Sequence, residues 1–313
     1  MGHFFHAVRV FGDHLAAVRW EFLALALAFH LAKLVLRSFA WRAILSAAYP
    51  LQRPKLRSAF GAYVAGVGVN SVAPARAGDL IKLYLIKQRI PQSSYATLTP
   101  TLLVETIFDF VVGIALVVWV LTLGVLPSHQ IYAHLPSVDW GFFVRHEKWT
   151  AIGVLAFLAI ALVSFIVFLE KGAAFRARIG RGFAILKRPR RFLMRVVLPQ
   201  ALAWILRIAA LYYFLVAFHV NATLHNALLV QVVDSLATLF PATPGGAGTK
   251  QGLIVYLFKG EAVSKTALLA FSVGMNIAIV VFNLVLGAIA LLVMARTLSW
   301  KRLRVAQAED ATT

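Results

Sequence analysis

Glu105 and Asp109 lie four residues apart inside an otherwise apolar run, residues 97–125. That spacing puts both carboxylates on one helix face. A carboxylate surrounded by apolar sequence needs a cation or a proton. Two kinds of chemistry are therefore open to the pair: a fixed ion pair, with Arg76 as the expected partner, or carriage of a proton. Arg37 and Arg207 sit within apolar runs of the same kind. Arg76 and Lys250 occupy a different setting, at breaks rich in proline and glycine. The first break reads Pro74-Ala75-Arg76-Ala77-Gly78 and the second reads Pro244-Gly245-Gly246-Ala247-Gly248. Both have the pattern P-x-x-A-G. A helix starting after either break would point its free N–H groups and positive dipole end at the break, an arrangement that favours anions and phosphate in particular. A cation at each break adds charge-assisted hydrogen bonds to that preference. Gly245, Gly246 and Gly248 let backbone approach a ligand or a second helix closely.

The elements that hold these residues are apolar helices. Residues 21–45 form a first span, with His30, Lys33, Arg37 and Trp41 on one face. Lys33 and Arg37 face the bundle interior or snorkel to an interface. Residues 58–73 are apolar but short, covering roughly 24 Å as a helix against ~30 Å of hydrocarbon. Pro74 ends them, and residues 79–89 return as an amphipathic run with Lys82, Lys87 and Arg89. This is the pattern of a re-entrant hairpin. Residues 97–125, 150–169, 197–218 and 265–295 are long enough to span, while 225–240 is again short and is broken at Pro241 and Pro244. Ser272, Asn276, Asn283 and Gly287 give the last span a small, polar face suited to close helix packing. Residues 3–20 are amphipathic and are expected to lie in the membrane interface.

Composition agrees. The chain has 313 residues, is 61% hydrophobic and contains no cysteine. That excludes thiol chemistry, disulfides and cysteine-based metal sites, and the nine histidines show no metal-ligand spacing. Neither a metal nor a cofactor is expected. The net charge of +19 does not signal nucleic acid, because the basic residues flank apolar runs. Residues 171–195 carry nine Lys and Arg and no acid after Glu170, the mark of a cytoplasmic loop, and 296–313 read as a cytoplasmic tail. With 127–149 external, charge bias makes the first broken segment enter from the cytoplasmic side and the second from outside, with an external N-terminus. The expected fold is therefore an all-α polytopic membrane protein of the cytoplasmic membrane. It would be a single domain over 1–313, with full spans plus two Pro/Gly-broken re-entrant hairpins forming an inverted repeat, in halves of about 21–125 and 150–295. The stretch GGAGTKQ is not a phosphate-binding P-loop, which requires Gly before Lys and Ser or Thr after it.

These residues resemble the flippase-like transmembrane domain of lysylphosphatidylglycerol synthetases, a domain found also as stand-alone bacterial and archaeal membrane proteins. The resemblance rests on Arg37 with Trp41-Arg42, on Asn70 and Pro74 to Gly78, on Glu105 and Asp109, and on Pro241, Thr243 to Gly246 and Gly248. It covers about residues 20–295. Where family members carry Glu then Arg after the first break, this chain has Asp79 and Lys82; where they carry Glu after the second, it has Gln251. The resemblance implies movement of a lipid or lipid-linked headgroup across the bilayer, with an anionic phospholipid or a polyprenyl-phosphate-linked lipid as partner. The further N-terminal span of many members and the soluble aminoacyl-transferring domain are expected to be absent, and aminoacylation with them. Arg76, Lys250, Arg207, Asn70, Gly78, Gly245, Gly246 and Gly248 are the expected substrate contacts. Glu105, Asp109 and Arg37 are the expected charge partners or proton carriers. Two other classes stand beside a transporter: a membrane-embedded enzyme with Glu105 or Asp109 as base, and a non-transporting scaffold of a glycolipid pathway.

Overall fold

A computed structural model describes residues 17–73, 76–122, 173–239, 249–258 and 264–310. Among them there is helix and no strand. The helices are α1 (Trp20–Ala48), α2 (Leu56–Asn70), α3 (Ala77–Lys87), α4 (Tyr95–Thr122), α5 (Ala173–Gly182), α6 (Pro189–Ala217), α7 (Leu224–Leu239), α8 (Thr249–Leu257) and α9 (Lys265–Asp310). Four of them contain segments long and apolar enough to cross a membrane: Trp20–Ala48, Tyr95–Gly113, Pro189–Ala217 and Thr266–Arg296. The chain is thus a multi-pass helical membrane protein. The expected span at 150–169, the loop at 127–149 and most of the expected interfacial helix at 3–20 lie outside the described residues.

Local sequence sets the boundaries. α1 stops at Tyr49, which precedes Pro50 and leaves the helical region, as residues before proline do. Arg42 Nε donates to the Pro54 carbonyl at 2.9 Å and holds the turn that follows. In α6 a π-helical turn, Leu193–Val197, directly precedes Leu198-Pro199. Pro199 has no N–H and its ring crowds the carbonyl four residues back, so the widened turn accommodates it.

The segment expected as a basic loop, 171–195, is largely ordered as helix from Ala173 onward: α5, a 3₁₀ turn at Ala184–Lys187, and the start of α6. Its apolar residues explain this. Ile185 and Val196 are buried with Ala40, Ile44 and Val104, and Phe183 and Phe192 pack against them. Arg181, Lys187, Arg188, Arg190, Arg191 and Arg195 stay exposed. The expected tail likewise continues as helix to Asp310.

Two larger apolar cores form beside that cluster, and α1 joins all three. One gathers Ala26 with Phe214, Leu215, Ile254, Phe258 and Phe271; the other gathers Leu34, Trp41 and Leu45 with Ile86, Ile90 and Leu98. Hydrophobicity alone gives helices little reason to associate in lipid, so close van der Waals packing matters more. At the crossing of α2 and α9 a Cβ on Gly68 would sit 2.8 Å from the Asn283 carbonyl oxygen and 2.9 Å from Gly287 Cα. The polar, small-residue face expected on the last span is used at this crossing.

α2 and α3 run antiparallel as a tight helical pair. A Cβ on Gly78 would lie 2.0 Å from the Gly66 carbonyl oxygen. Asn70 closes the tip: its Oδ1 accepts from Gly78 N at 2.7 Å and its Nδ2 donates to Asp79 at 3.2 Å. The helices have 15 and 11 residues, short of the ~20 needed to cross. α7 and α8, with 16 and 9 residues, are short as well.

Candidate functional site

A continuous string of charged and aromatic contacts runs between the two cores. It starts at Lys82 on α3, which is 6% exposed. Lys82 Nζ donates to Glu105 Oε2 at 2.5 Å and lies over the Trp41 and Tyr63 rings, 4.3 and 4.0 Å from their centroids. Cation–π contact on two sides and a carboxylate on the third replace the water that a lysine would otherwise need. Glu105 Oε1 accepts from Tyr63 Oη at 2.7 Å and from Arg37 Nη2 at 3.3 Å. Arg37 Nε donates to Tyr63 Oη at 2.6 Å, and its two terminal nitrogens fork onto both oxygens of Asp109. That bidentate geometry belongs to guanidinium and not to an ammonium group.

Trp204 on α6 carries the string onward. Its indole N–H donates to Asp109 Oδ1 at 2.8 Å, and Arg207 lies 5.3 Å from its ring centroid. Arg207 then meets Asp234 on α7 at 3.8 Å, and Asp234 also pairs with Lys250 on α8. Six helices contribute to one ladder: Lys82, Glu105, Arg37, Asp109, Trp204, Arg207, Asp234 and Lys250. Gln200, also on α6, donates to the Glu105 carbonyl at 3.1 Å and ties the α4 backbone to the same layer.

The ladder is not sealed. A cavity of about 100 Å³, with room for roughly three waters, is lined by Arg37, Tyr63, Asn70, Arg76, Lys82 and Glu105 among others. Arg37 and Arg207 keep 15% and 29% of their side chains accessible. On the other side of Trp204, an apolar cleft of about 560 Å³ is lined by Val112, Leu116, Ile208, Tyr212 and Leu228. Trp204 lines it too and so belongs to both the charged ladder and the apolar cleft.

Residues 4–287 match the family described as the lysylphosphatidylglycerol synthase TM region. The chain belongs to the lysylphosphatidylglycerol synthase TM-region family. It is also 22% identical over 239 residues to the UPF0104 membrane protein MJ1078 of Methanocaldococcus jannaschii, covering 74% of this chain and 95% of that one. No solved structure matches it.

Within this member of the family, Arg37, Glu105 and Asp109 meet in one place, as charge partners on adjacent helices. Arg207 and Lys250 come together on Asp234. Arg76 does not reach the carboxylates of α4. Its side chain is 67% exposed and pairs with Asp79 at 2.8 Å, at the rim of the small cavity. The partners of Glu105 and Asp109 are Arg37 and Lys82 instead. Gly78 is occupied with the approach to α2. Pro74 and the second break, Pro241 to Gly248, lie outside the described residues.

Lys82, Tyr63, Trp204 and Asp234 are not among the site residues expected from sequence. Two of them had a signal. Asp234 is an acid inside an apolar run, the feature that marks Glu105 and Asp109. Lys82 is four residues past Gly78 and so shares the helix face that must pack tightly.

Proposed function

We propose that this protein moves a lipid with an anionic headgroup across the cytoplasmic membrane. The observation that carries the proposal is the ladder of Lys, Arg, Asp and Glu between two apolar cores, open on one side to a polar cavity and bordered on the other by an apolar cleft. An amphipathic substrate fits that neighbourhood, with its headgroup at the cations and its chain in the cleft, and Trp204 stands at the join. In this reading α2–α3 and α7–α8 are re-entrant hairpins. Their short lengths support it. Membership of a family named for a lipid-synthase membrane region points the same way.

The enzyme reading is weaker on a specific observation. A general base needs a free lone pair facing its substrate. Glu105 and Asp109 already accept from Arg37, Lys82, Tyr63 and Trp204.

The test is headgroup movement in proteoliposomes containing fluorescent phosphatidylglycerol or a polyprenyl-phosphate lipid, followed by bleaching with an impermeant reductant. Wild-type protein should speed bleaching of the inner-leaflet pool for one of these lipids. No acceleration by folded protein with either lipid would end the proposal. Arg76 offers a sharper arm. It stands in the left-handed region at φ 59°, where a non-glycine residue is strained by about 1–2 kcal/mol. Arg76→Gly relieves that strain and removes the guanidinium. We expect a thermal midpoint unchanged or slightly raised, with flipping reduced by about tenfold or more, as loss of a charge-assisted contact predicts. Flipping at the wild-type rate would remove Arg76 from the path.

A further inference from the structure

We propose that Lys33, beside the ladder, is an anion-binding residue, taking a phosphate monoester or diester group between Arg37 and Arg207. The inference rests on the transport reading only for the claim that the anion is a lipid headgroup. The site itself is argued from geometry.

Lys33 is the fourteenth residue of a 29-residue span. It lies roughly 20 Å from either helix end, beyond the reach of a lysine stem to an interface. Among the described residues no carboxylate comes within ion-pair distance of it. Its polar contact is one hydrogen bond, Nζ to His30 Nδ1 at 3.1 Å. Arg37 and Arg207 are its charged neighbours of like sign; Asp109 and Asp234 are those of opposite sign. Both carboxylates are already engaged, Asp109 by Arg37 and Asp234 by Arg207 and Lys250. An ammonium group in this place, facing cations and with both nearby acids already paired elsewhere, calls for an anion.

The contact to His30 is fixed by a chain of hydrogen bonds in which each donor determines the next. Ser71 Oγ donates to the Val67 carbonyl at 3.0 Å and so accepts from Asn283 Nδ2 at 3.1 Å. Asn283 therefore turns Oδ1 toward His30, whose Nε2–H donates to it at 2.9 Å. Nδ1 is left as the acceptor, and one N–H of Lys33 fills it. A charged lysine has three donors, so two remain for the incoming group. The same chain begins at Ser71, just past the end of α2, and thus ties the anion site to the tip of the α2–α3 pair.

The experiment uses the full chain purified in detergent and follows thermal unfolding. Probes are inorganic phosphate, dihexanoyl phosphatidic acid and dihexanoyl phosphatidylcholine as the zwitterionic control. Wild-type protein should show a rise in midpoint with phosphatidic acid. Lys33→Met should bind it roughly tenfold to a hundredfold more weakly, the loss expected for a charge-assisted contact, while Lys33→Arg keeps most of the shift. In anion-free buffer Lys33→Met should unfold at the same temperature or higher, because it removes an unpaired charge. A shift with inorganic phosphate equal to that with phosphatidic acid supports a site for soluble anions; a shift with the lipid alone supports a headgroup site.

A wild-type shift that persists in Lys33→Met would overturn the proposal, as would a Lys33→Met protein that loses stability without anion. Binding through Lys33 with no lipid flipped by wild type would sink the transport reading and leave the site standing. Flipping and binding that both survive Lys33→Met would do the reverse.

Discussion

Arg37→Ala should destabilise the folded protein by roughly 3–5 kcal/mol, the range for breaking a buried ion pair from one side. Arg37 holds both oxygens of Asp109, one oxygen of Glu105 and the Tyr63 hydroxyl. Without it Glu105 keeps Lys82 and Tyr63, but Asp109 retains the Trp204 indole as its remaining hydrogen-bond donor. An ionised carboxylate at that depth then lacks a counter-charge. Arg37→Lys should recover only part of the loss, because an ammonium group cannot fork onto both oxygens. A paired change tests the cause. Arg37→Met with Asp109→Asn removes the charge and the orphan together, so it should be less destabilised than the sum of its single changes, with a coupling of about 1 kcal/mol or more. The measurement is the unfolding midpoint in detergent for the four proteins of the cycle. Simple additivity would mean that the pair contributes nothing to stability.

Gly78→Ala should be at least as damaging, though only a methyl group is added. The new Cβ would lie 2.0 Å from the Gly66 carbonyl oxygen and 2.7 Å from Asn70 Oδ1. Neither can yield cheaply, since one is backbone and the other fastens the hairpin tip. α2 and α3 would have to separate, and Lys82, whose own Cβ neighbours Gly66, would be drawn from Glu105. Overpacking of this kind reaches about 3 kcal/mol and occasionally more. Gly68→Ala, whose tightest contact would be 2.8 Å, is the milder comparison. Midpoints of the two variants should rank Gly78→Ala below Gly68→Ala. Equal midpoints would mean that the α2–α3 contact is looser than described.

Much of this was legible in the residues. Hydropathy placed the spans at 21–45, 97–125, 197–218 and 265–295 close to where helices stand. Proline and glycine marked the gap between α2 and α3, and i, i+4 spacing put Glu105 and Asp109 together. The partners of those carboxylates were not legible. Periodicity tells which residues share a face of one helix, but neighbours across helices depend on rotation and crossing. Arg37 therefore reaches Asp109 from 72 residues away, while Arg76 at the break turns to Asp79. Lys82 was grouped with Lys87 and Arg89 as part of a basic amphipathic run, yet the close approach at Gly78 buries it. The segment 171–195 read as a loop because of its nine basic residues, yet the apolar residues between them dock it as helix from Ala173 onward.

The ladder and its neighbour Lys33 hold five cations, Lys33, Arg37, Lys82, Arg207 and Lys250, and three carboxylates, Glu105, Asp109 and Asp234. A membrane potential acts on net charge at such depth, with about 2.3 kcal/mol per elementary charge for a full crossing at 100 mV. The empty protein, with positive charge in excess, is the form an inside-negative voltage can push. A phosphate group bound as proposed, bearing one or two negative charges, would bring the sum toward zero. The loaded form would then be nearly silent electrically, so the field would do little work on a headgroup carried with it.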